Sequence, residues 1–200
     1  MSTHEPLRLF FAIQLNGELR QALSQLINEL KKETRENRVK WVCPENLHVT
    51  LRFLGNTDPS LKQKLVDFAY QAIRSINPFA LQLQNIRFFP SPTAPRAIAT
   101  DILPTSELFE LAHALEEVAA RLHFTPETKP YLPHLTLGRI LHHNTPTLRD
   151  ELKLNTHPML VDRIVLFNSE KTEDGQQIYT PLEQIFLKTV EVNSPDTVIV

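Results

Sequence analysis

The chain has 200 residues, 42% of them hydrophobic, and its formal net charge at pH 7 is −2. This length and composition allow one substantial core or two small lobes that share one, and they argue against a chain dominated by disorder. A sequence pI near 6.4 excludes the strongly basic surface of proteins that coat long nucleic acids, whereas a short or terminal nucleotide substrate stays open.

The sequence predicts neither a disulfide nor a membrane segment. Cys43 is the single cysteine, which favours a reducing compartment, and we interpret it as a small residue beside a strand rather than as a nucleophile. The apolar run at 9–13 is too short for a signal peptide, and no segment has the length of a membrane span. We therefore expect a cytoplasmic protein that does not contact a membrane.

The first half of the chain alternates between strand-like and helix-like hydrophobic patterns. In chain order we predict a strand at Leu7–Gln14, a helix capped by Asn16, a short edge strand at 39–43, a turn at 44–46 and a strand at 47–54 that Gly55 closes. Asp58 and Pro59 then have the pattern of a helix cap followed by a first-turn proline. The helix that they open carries an apolar stripe formed by Leu61, Leu65, Phe68, Ala69, Ala72, Ile73 and Ile76.

The second half of the chain continues the alternation of strands and helices. In chain order we predict a strand at 79–84 with an antiparallel neighbour at 96–102, a helix at 104–123, a strand at 133–141, a polar loop at 141–158, a hairpin of strands 159–167 and 177–188, and a tail at 193–200. The predicted strands are amphipathic rather than continuously apolar. This pattern favours an antiparallel α+β fold over a doubly wound parallel sheet.

One tetrapeptide occurs twice in the chain: His-Val-Thr-Leu at 48–51 returns as His-Leu-Thr-Leu at 134–137. Both copies lie in predicted strands, where side chains two residues apart share a face. Each copy therefore presents a histidine and a threonine hydroxyl on one face. Histidine is the only side chain whose unperturbed pKa allows it to accept and donate protons near neutrality. Two similar lobes that each contribute one motif strand to a common groove would bring both histidines to one site.

A pair of opposed histidines with neighbouring hydroxyls suits phosphoryl chemistry that needs no metal. One neutral imidazole can take a proton from an attacking water, while the opposed imidazolium protonates the leaving oxygen. Hydroxyls or a guanidinium can stabilise the charge on the other phosphoryl oxygens. Because attack on phosphorus is in line, one histidine from each of two facing lobes fits this reaction better than two histidines on one strand.

Two segments resemble the paired signatures of the two-histidine (2H) phosphoesterases: HVTLRFLG at 48–55 and PHLTLGR at 133–139. Within that superfamily the chain is most similar to the RNA 2′,3′-cyclic phosphodiesterases, also called LigT-like or ThpR-like and once named 2′-5′ RNA ligases. Residues 8–13 resemble the family's opening strand, and residues 175–182 resemble its closing hairpin. The resemblance thus covers most of the chain.

The resemblance implies one bilobal α+β domain over residues 1–192, with two antiparallel sheets and outer helices around a central groove. It implies hydrolysis of a terminal 2′,3′-cyclic phosphate to a 2′-phosphomonoester, without a metal or another cofactor. The site residues implied by the family pattern are His48 as proton donor to the 3′ oxygen, His134 as proton acceptor for water, Thr50 and Thr136 as ligands of the phosphoryl oxygens, and Arg139 as the phosphate-binding arginine.

Strict alternation along the two motif strands conflicts with the family pattern at one position. Alternation places Arg52 on the face of His48 and Phe53 in the core, but it sends Arg139 to the face opposite His134. Gly138 can resolve the conflict, since a glycine within a strand often marks a bulge that reverses the alternation. We therefore predict an irregularity at Gly138 that turns Arg139 into the groove, and a solvent-exposed or groove-rim position for Arg52.

The other histidines do not predict a metal site. His142 and His143 lack a neighbouring carboxylate or cysteine. His113 and His123 are ten residues apart and so do not lie on adjacent turns of one helix face. We expect all four to face solvent.

Tyr131 lies just before the second motif, and we predict that it stacks on a nucleobase. The aromatic pairs Phe10-Phe11 and Phe88-Phe89 are more typical of a core.

We expect RNA 3′ ends or small cyclic nucleotides as substrates and a monomeric protein. Two other functions stay open: RNA 2′-5′ ligation, in which a ribose 5′-hydroxyl replaces water in the reverse reaction, and a non-catalytic module that binds phosphorylated RNA ends.

Overall fold

The structure is a computed structural model that describes residues 5–34, 38–141, 154 and 156–188. The predicted α+β class with antiparallel sheets is confirmed. The strands are β1 (Leu7–Gln14), β2 (Val39–Trp41), β3 (His48–Thr57), β4 (Phe79–Leu81), β5 (Leu83–Phe89), β6 (Ala97–Ile102), β7 (His134–Ile140), β8 (Met159–Val161), β9 (Arg163–Lys171) and β10 (Gln177–Phe186). The helices are α1 (Gly17–Glu33), α2 (Lys62–Ile73) and α3 (Ser106–Arg121).

The strands form two four-stranded antiparallel sheets and one small pair. The first sheet has the order β10-β9-β1-β3, the second has the order β2-β7-β6-β5, and β4 pairs with β8. Each four-stranded sheet holds one motif strand, β3 at the edge of the first and β7 inside the second. The two sheets do not follow the order of the strands along the chain. β2 pairs with the much later strand β7, and the late strands β9 and β10 belong to the same sheet as β1.

Capping groups define where the helices begin. The side chain of Asn16 accepts a hydrogen bond from the backbone nitrogen of Leu19 at 2.8 Å, as a helix cap does. Thr105 caps α3 in the same way through Leu108, at 3.3 Å. Asp58 accepts from Ser60 and opens a short 3₁₀ turn, so α2 begins later than the sequence predicts.

The hydrophobic stripe predicted for α2 is wrong at one position. Leu65, Ala69 and Ile73 form a fully buried row at four-residue spacing, whereas Phe68 is 40% exposed. The row belongs to the main hydrophobic core, and the helix contacts α3 and β10. Phe68 lies to the side of the row and is left on the surface.

Several predicted strands have different limits in the structure. The strand expected at 159–167 is interrupted at Asp162, and its first part pairs with β4 rather than with β10. The strand expected at 79–84 is likewise interrupted at Gln82, so that β5 continues to Phe89 and pairs with β6. β3 does not close at Gly55, which has a φ of 77°, but runs on to Thr57.

Most of the loop predicted at 141–158, including His142 and His143, lies outside the described residues, as does the tail at 193–200. Within the described ranges, no helix is both long enough and apolar enough to cross a membrane.

Candidate active site

Each motif strand contains a β-bulge at the same position of the motif. Along β3, Thr50 pairs with Ala12 and Arg52 pairs with Phe11, so Leu51 is the additional residue. Along β7, Thr136 pairs with Ala99 and Gly138 pairs with Ile98, so Leu137 is the additional residue. Because a bulge reverses the alternation of side chains, the residue five positions after each histidine turns back to the histidine's face.

The two bulges decide which side chains face the groove. Arg139 follows the second bulge and lines one cavity together with His48 and His134, as we predict from Gly138. Phe53 follows the first bulge and lines the same cavity at 40% exposure, so its predicted core position is wrong.

Arg52 is not solvent-exposed, in contrast to the first of the two predicted positions, and it lines a cavity next to that of the two histidines rather than the histidine cavity itself. Only 7% of its surface is exposed, and its Nε forms an ion pair with Glu116 Oε2 at 2.5 Å. Its guanidinium also donates to the carbonyl oxygens of Phe53 and Thr125. The reason is the bulge at Leu51, which turns Arg52 away from His48 towards α3.

Gly138 is required by the close approach of β2. A Cβ atom at this position would lie 2.5 Å from Val39 Cγ1 and 2.9 Å from Trp41 Cε3. Both distances are shorter than real carbon contacts. The side chains of β2 therefore cover β7 at Gly138. Arg52 occupies the equivalent position of the first motif.

The ring of His48 is held on both of its nitrogens. Nδ1 lies 2.6 Å from the carbonyl oxygen of Asn46, and Nε2 lies 3.0 Å from Thr50 Oγ1. Asn46 is itself fixed, because its side-chain amide donates to the carbonyl of Gln177 at 2.6 Å. Phe10 and Tyr179 pack against the imidazole with centroid distances of 5.0 and 5.1 Å.

His134 is held in the other sheet by the same kind of contact at Nδ1. Its Nδ1 lies 2.7 Å from the carbonyl oxygen of Leu132, which is again the residue two positions before the histidine. Phe89 stacks on the ring with a centroid distance of 3.8 Å and an interplanar angle of 16°. Since a carbonyl can only accept, Nδ1 carries the proton in both histidines and Nε2 of each neutral ring keeps its lone pair.

Burial holds both imidazoles in the neutral form. Removal from water lowers the pKa of His48 to about 4. The hydrogen bond to Asn46 raises this pKa, and the positive charge of Arg139 lowers it further. Burial also lowers the pKa of His134, where Arg87 acts in the same direction and Asp101 opposes it. Perturbed histidines at the wall of a cleft are typical of functional sites.

The two histidines share one cavity of about 350 Å³. Thr50, Thr136 and Arg139 line it together with them, so the structure brings five of the six predicted site residues to one place. The imidazoles supply proton-transfer groups, the threonines supply hydroxyls and the arginine supplies a fixed positive charge. This combination can bind a phosphoryl group and move protons on two sides of it.

A family model described as LigT like Phosphoesterase matches residues 13–99 and 102–175, a range that contains both motifs. The chain belongs to this family of phosphoesterases. The predicted resemblance is therefore confirmed.

Relatives and solved structures of the LigT-like family match most of the chain. The RNA 2′,3′-cyclic phosphodiesterase of Methanothermobacter thermautotrophicus is 30% identical over 184 residues, which cover 88% of this chain and 96% of the relative. The Thermotoga maritima protein of the same name is 27% identical over 84% of this chain and 90% of its own. TT0787 of Thermus thermophilus superposes with a TM-score of 0.78 at 26% identity, covering 91% and 98% of the two chains. E. coli LigT complexed with 3′-AMP superposes with a TM-score of 0.72 at 28% identity, covering 93% and 100%.

Tyr131 is the sixth predicted site residue of this phosphoesterase, and it lies outside the cavity that contains both histidines. It lines a second cavity that adjoins the first, and its hydroxyl donates to the carbonyl oxygen of Thr50 at 3.1 Å. Burial raises the pKa of this hydroxyl, which therefore remains a donor. Its stacking on a base stays a prediction.

Sequence reasoning missed several groove residues of this LigT-like protein. Arg8 and Phe10 on β1 and Tyr179 on β10 line the cavity. Burial raises the pKa of the Tyr179 hydroxyl, and the positive charges of Arg139 and Arg8 oppose this effect. The sequence feature that indicates a groove position for Arg8 and Phe10 is their alternation with the core residues of β1. Phe89, interpreted from the sequence as a core residue, is also a neighbour of the site through its stacking on His134.

The described residues contain no group of three or more histidine, cysteine or acidic side chains that could hold a metal ion. His113 and His123 are exposed, as we predict. Cys43 is an exposed free thiol next to β2.

Proposed function

We propose that this phosphoesterase hydrolyses the terminal 2′,3′-cyclic phosphate of RNA to a 2′-phosphomonoester without a metal ion. The observation that carries the proposal is the matched construction of His48 and His134 around one cavity with Arg139. Similar proteins named RNA 2′,3′-cyclic phosphodiesterase support the type of reaction.

In the proposed reaction, Nε2 of neutral His134 takes a proton from water as the water oxygen bonds to phosphorus. The bond from phosphorus to the 3′ oxygen breaks, and protonated His48 donates its Nε2 proton to that oxygen. Thr50, Thr136 and Arg139 hold the non-bridging oxygens and stabilise their charge. The 2′ oxygen keeps the phosphate, which leaves as a 2′-phosphomonoester.

The donor role of His48 requires a proton that burial disfavours in the free protein. The positive charges of Arg139 and of protonated His134 lower the pKa of His48 further. A bound cyclic phosphate carries a negative charge that neutralises Arg139 and favours the protonated imidazole. Substrate binding therefore prepares His48 for its role.

The test is a product assay on an oligoribonucleotide that ends in a 2′,3′-cyclic phosphate. We expect His48→Ala and His134→Ala each to lose about 10²–10⁴-fold in kcat, the usual contribution of one proton transfer. His157→Ala is the matched control, because this exposed histidine lines neither of the two cavities. A chelator should leave the rate of the wild type unchanged.

Full activity in either histidine variant would contradict the proposal. Binding of the cyclic oligonucleotide without turnover would instead indicate a module that binds RNA ends. A single domain over residues 1–192, a monomeric state and a cytoplasmic location stay predictions.

A further inference from the structure

A second cavity of about 760 Å³ adjoins the cavity of the two histidines. Both are lined by Thr50, Phe53, His134, Thr136 and Arg139, so the two spaces are continuous. Ligand sites for small molecules have volumes of roughly 300–1,000 Å³. Each space is therefore large enough for a ligand of its own, and a ligand held at the histidines can extend into the second cavity.

The second cavity has aromatic walls that are open to solvent. Phe53 and Phe109 are 40% and 43% exposed, and Phe89 and Tyr131 complete the lining. Phe109 meets Tyr131 edge to face, with a centroid distance of 6.1 Å. Exposed aromatic faces beside a phosphate-binding site are the features on which proteins stack nucleobases.

The charges of the second cavity suit a phosphodiester. Among the described residues that line it, Glu116 is neutralised by its ion pair with Arg52. Arg96, Lys129 and Arg139 then face a single remaining carboxylate, that of Glu127. A positively charged cleft attracts a phosphate backbone.

The loop between α3 and β7, which forms one wall, is held at three points. Arg52 donates to the carbonyl of Thr125 at 2.6 Å, Glu116 accepts from the backbone nitrogen of Glu127 at 3.1 Å, and Tyr131 donates to Thr50. The cavity is therefore formed before a ligand arrives, which reduces the ordering cost of binding.

We propose that this second cavity binds the nucleotide that precedes the terminal one, so that an RNA strand is a better substrate than a cyclic mononucleotide. The inference rests on the proposed function. The base of the preceding nucleotide stacks against Phe109 and Tyr131, and the phosphodiester between the two nucleotides lies near Lys129 and Arg96.

The test compares kcat/KM for a dinucleotide that ends in a 2′,3′-cyclic phosphate with kcat/KM for the corresponding cyclic mononucleotide. We expect the wild type to prefer the dinucleotide by about tenfold, and Phe109→Ala to remove most of this preference, because one stacked base has an effect of that order. Phe68→Ala is the matched control, since Phe68 is an equally exposed helix phenylalanine that lines neither cavity. It should keep the preference.

A second variant tests the charge. Lys129→Ala should reduce the slope of log kcat/KM against log salt by up to about one for the dinucleotide, as expected for one lost phosphate contact. An unchanged slope together with an unchanged preference in Phe109→Ala would overturn the inference.

The outcomes separate this inference from the function on which it rests. Equal kcat/KM values for the two substrates in the wild type would overturn the second binding site and leave the phosphodiesterase function intact. Hydrolysis of neither substrate would overturn both.

Discussion

The hydroxyl of Tyr131 donates a hydrogen bond to the backbone carbonyl of Thr50, 3.1 Å away, and so connects the segment that precedes β7 to β3. Tyr131 precedes Leu132, whose carbonyl holds Nδ1 of His134. Thr50 carries the hydroxyl that contacts Nε2 of His48. One hydrogen bond therefore joins the supports of the two histidines.

Tyr131→Phe removes this bond and keeps the aromatic ring. We expect a loss of about 1 kcal/mol in the free energy of unfolding, as for one buried hydrogen bond, and a lower kcat because the two histidines are less well aligned. Urea denaturation and steady-state kinetics measure the two effects. Tyr70→Phe, on the exposed surface of α2, is the control. If stacking on a base is the whole role of Tyr131, the Phe variant will match the wild type.

Gly138→Ala should distort the second motif strand. The new Cβ would collide with Val39 Cγ1 and Trp41 Cε3, and such overpacking costs about 1–3 kcal/mol. We expect a lower denaturation midpoint and a lower kcat/KM, because Arg139 follows directly along the strand. Gly17→Ala, where a Cβ meets no atom of the described residues within 4 Å, should change neither quantity. Adding Val39→Ala to Gly138→Ala should recover part of the stability, and no recovery would refute the steric explanation.

Glu116→Gln leaves the charge of buried Arg52 without its counter-ion. Breaking one partner of a fully buried pair costs about 3–5 kcal/mol, and since Glu116 is 29% exposed we expect a smaller loss of about 1–3 kcal/mol. Glu117→Gln breaks the exposed pair with His113 and should cost less than about 1 kcal/mol. Equal effects of the two substitutions on chemical denaturation would show that the Arg52 pair does not support the fold.

The pH dependence of kcat/KM should be bell-shaped, with both limbs below pH 6.5. The mechanism needs one protonated and one neutral histidine, so the maximum lies between their pKa values in the free protein. Burial lowers both pKa values from 6.5, that of His48 to about 4. A maximum of kcat/KM above pH 7 would contradict this assignment.

The bell-shaped pH profile of kcat should lie at higher pH than the profile of kcat/KM, because the negative phosphate raises the pKa values of both histidines in the complex. Arg139→Gln removes a positive charge that lowers both values. It should therefore shift the kcat/KM profile to higher pH while reducing its height. A shift to lower pH would have the wrong sign for a neighbouring cation.

A local sequence pattern is sufficient to predict an element where one property of the sequence decides its structure. The limits of β1 and the capping of α1 by Asn16 follow from periodicity and from a cap residue, both of which are local. The bulge at Leu137 is marked by Gly138, but the equivalent bulge at Leu51 is followed by Arg52 and has no such mark. For that reason, strict alternation predicts the wrong face for both Arg52 and Phe53.

By itself, the sequence determined the family and the paired histidines and threonines, because these rest on residue types at fixed spacing. Only the tertiary structure decided which other side chains reach the groove. After a bulge, the direction of a side chain depends on the register with the neighbouring strand, and that register is set by pairing between distant segments: β1 for β3, and β6 for β7. The same long-range packing places Phe89 on His134 and Tyr179 beside His48, which no local pattern marks.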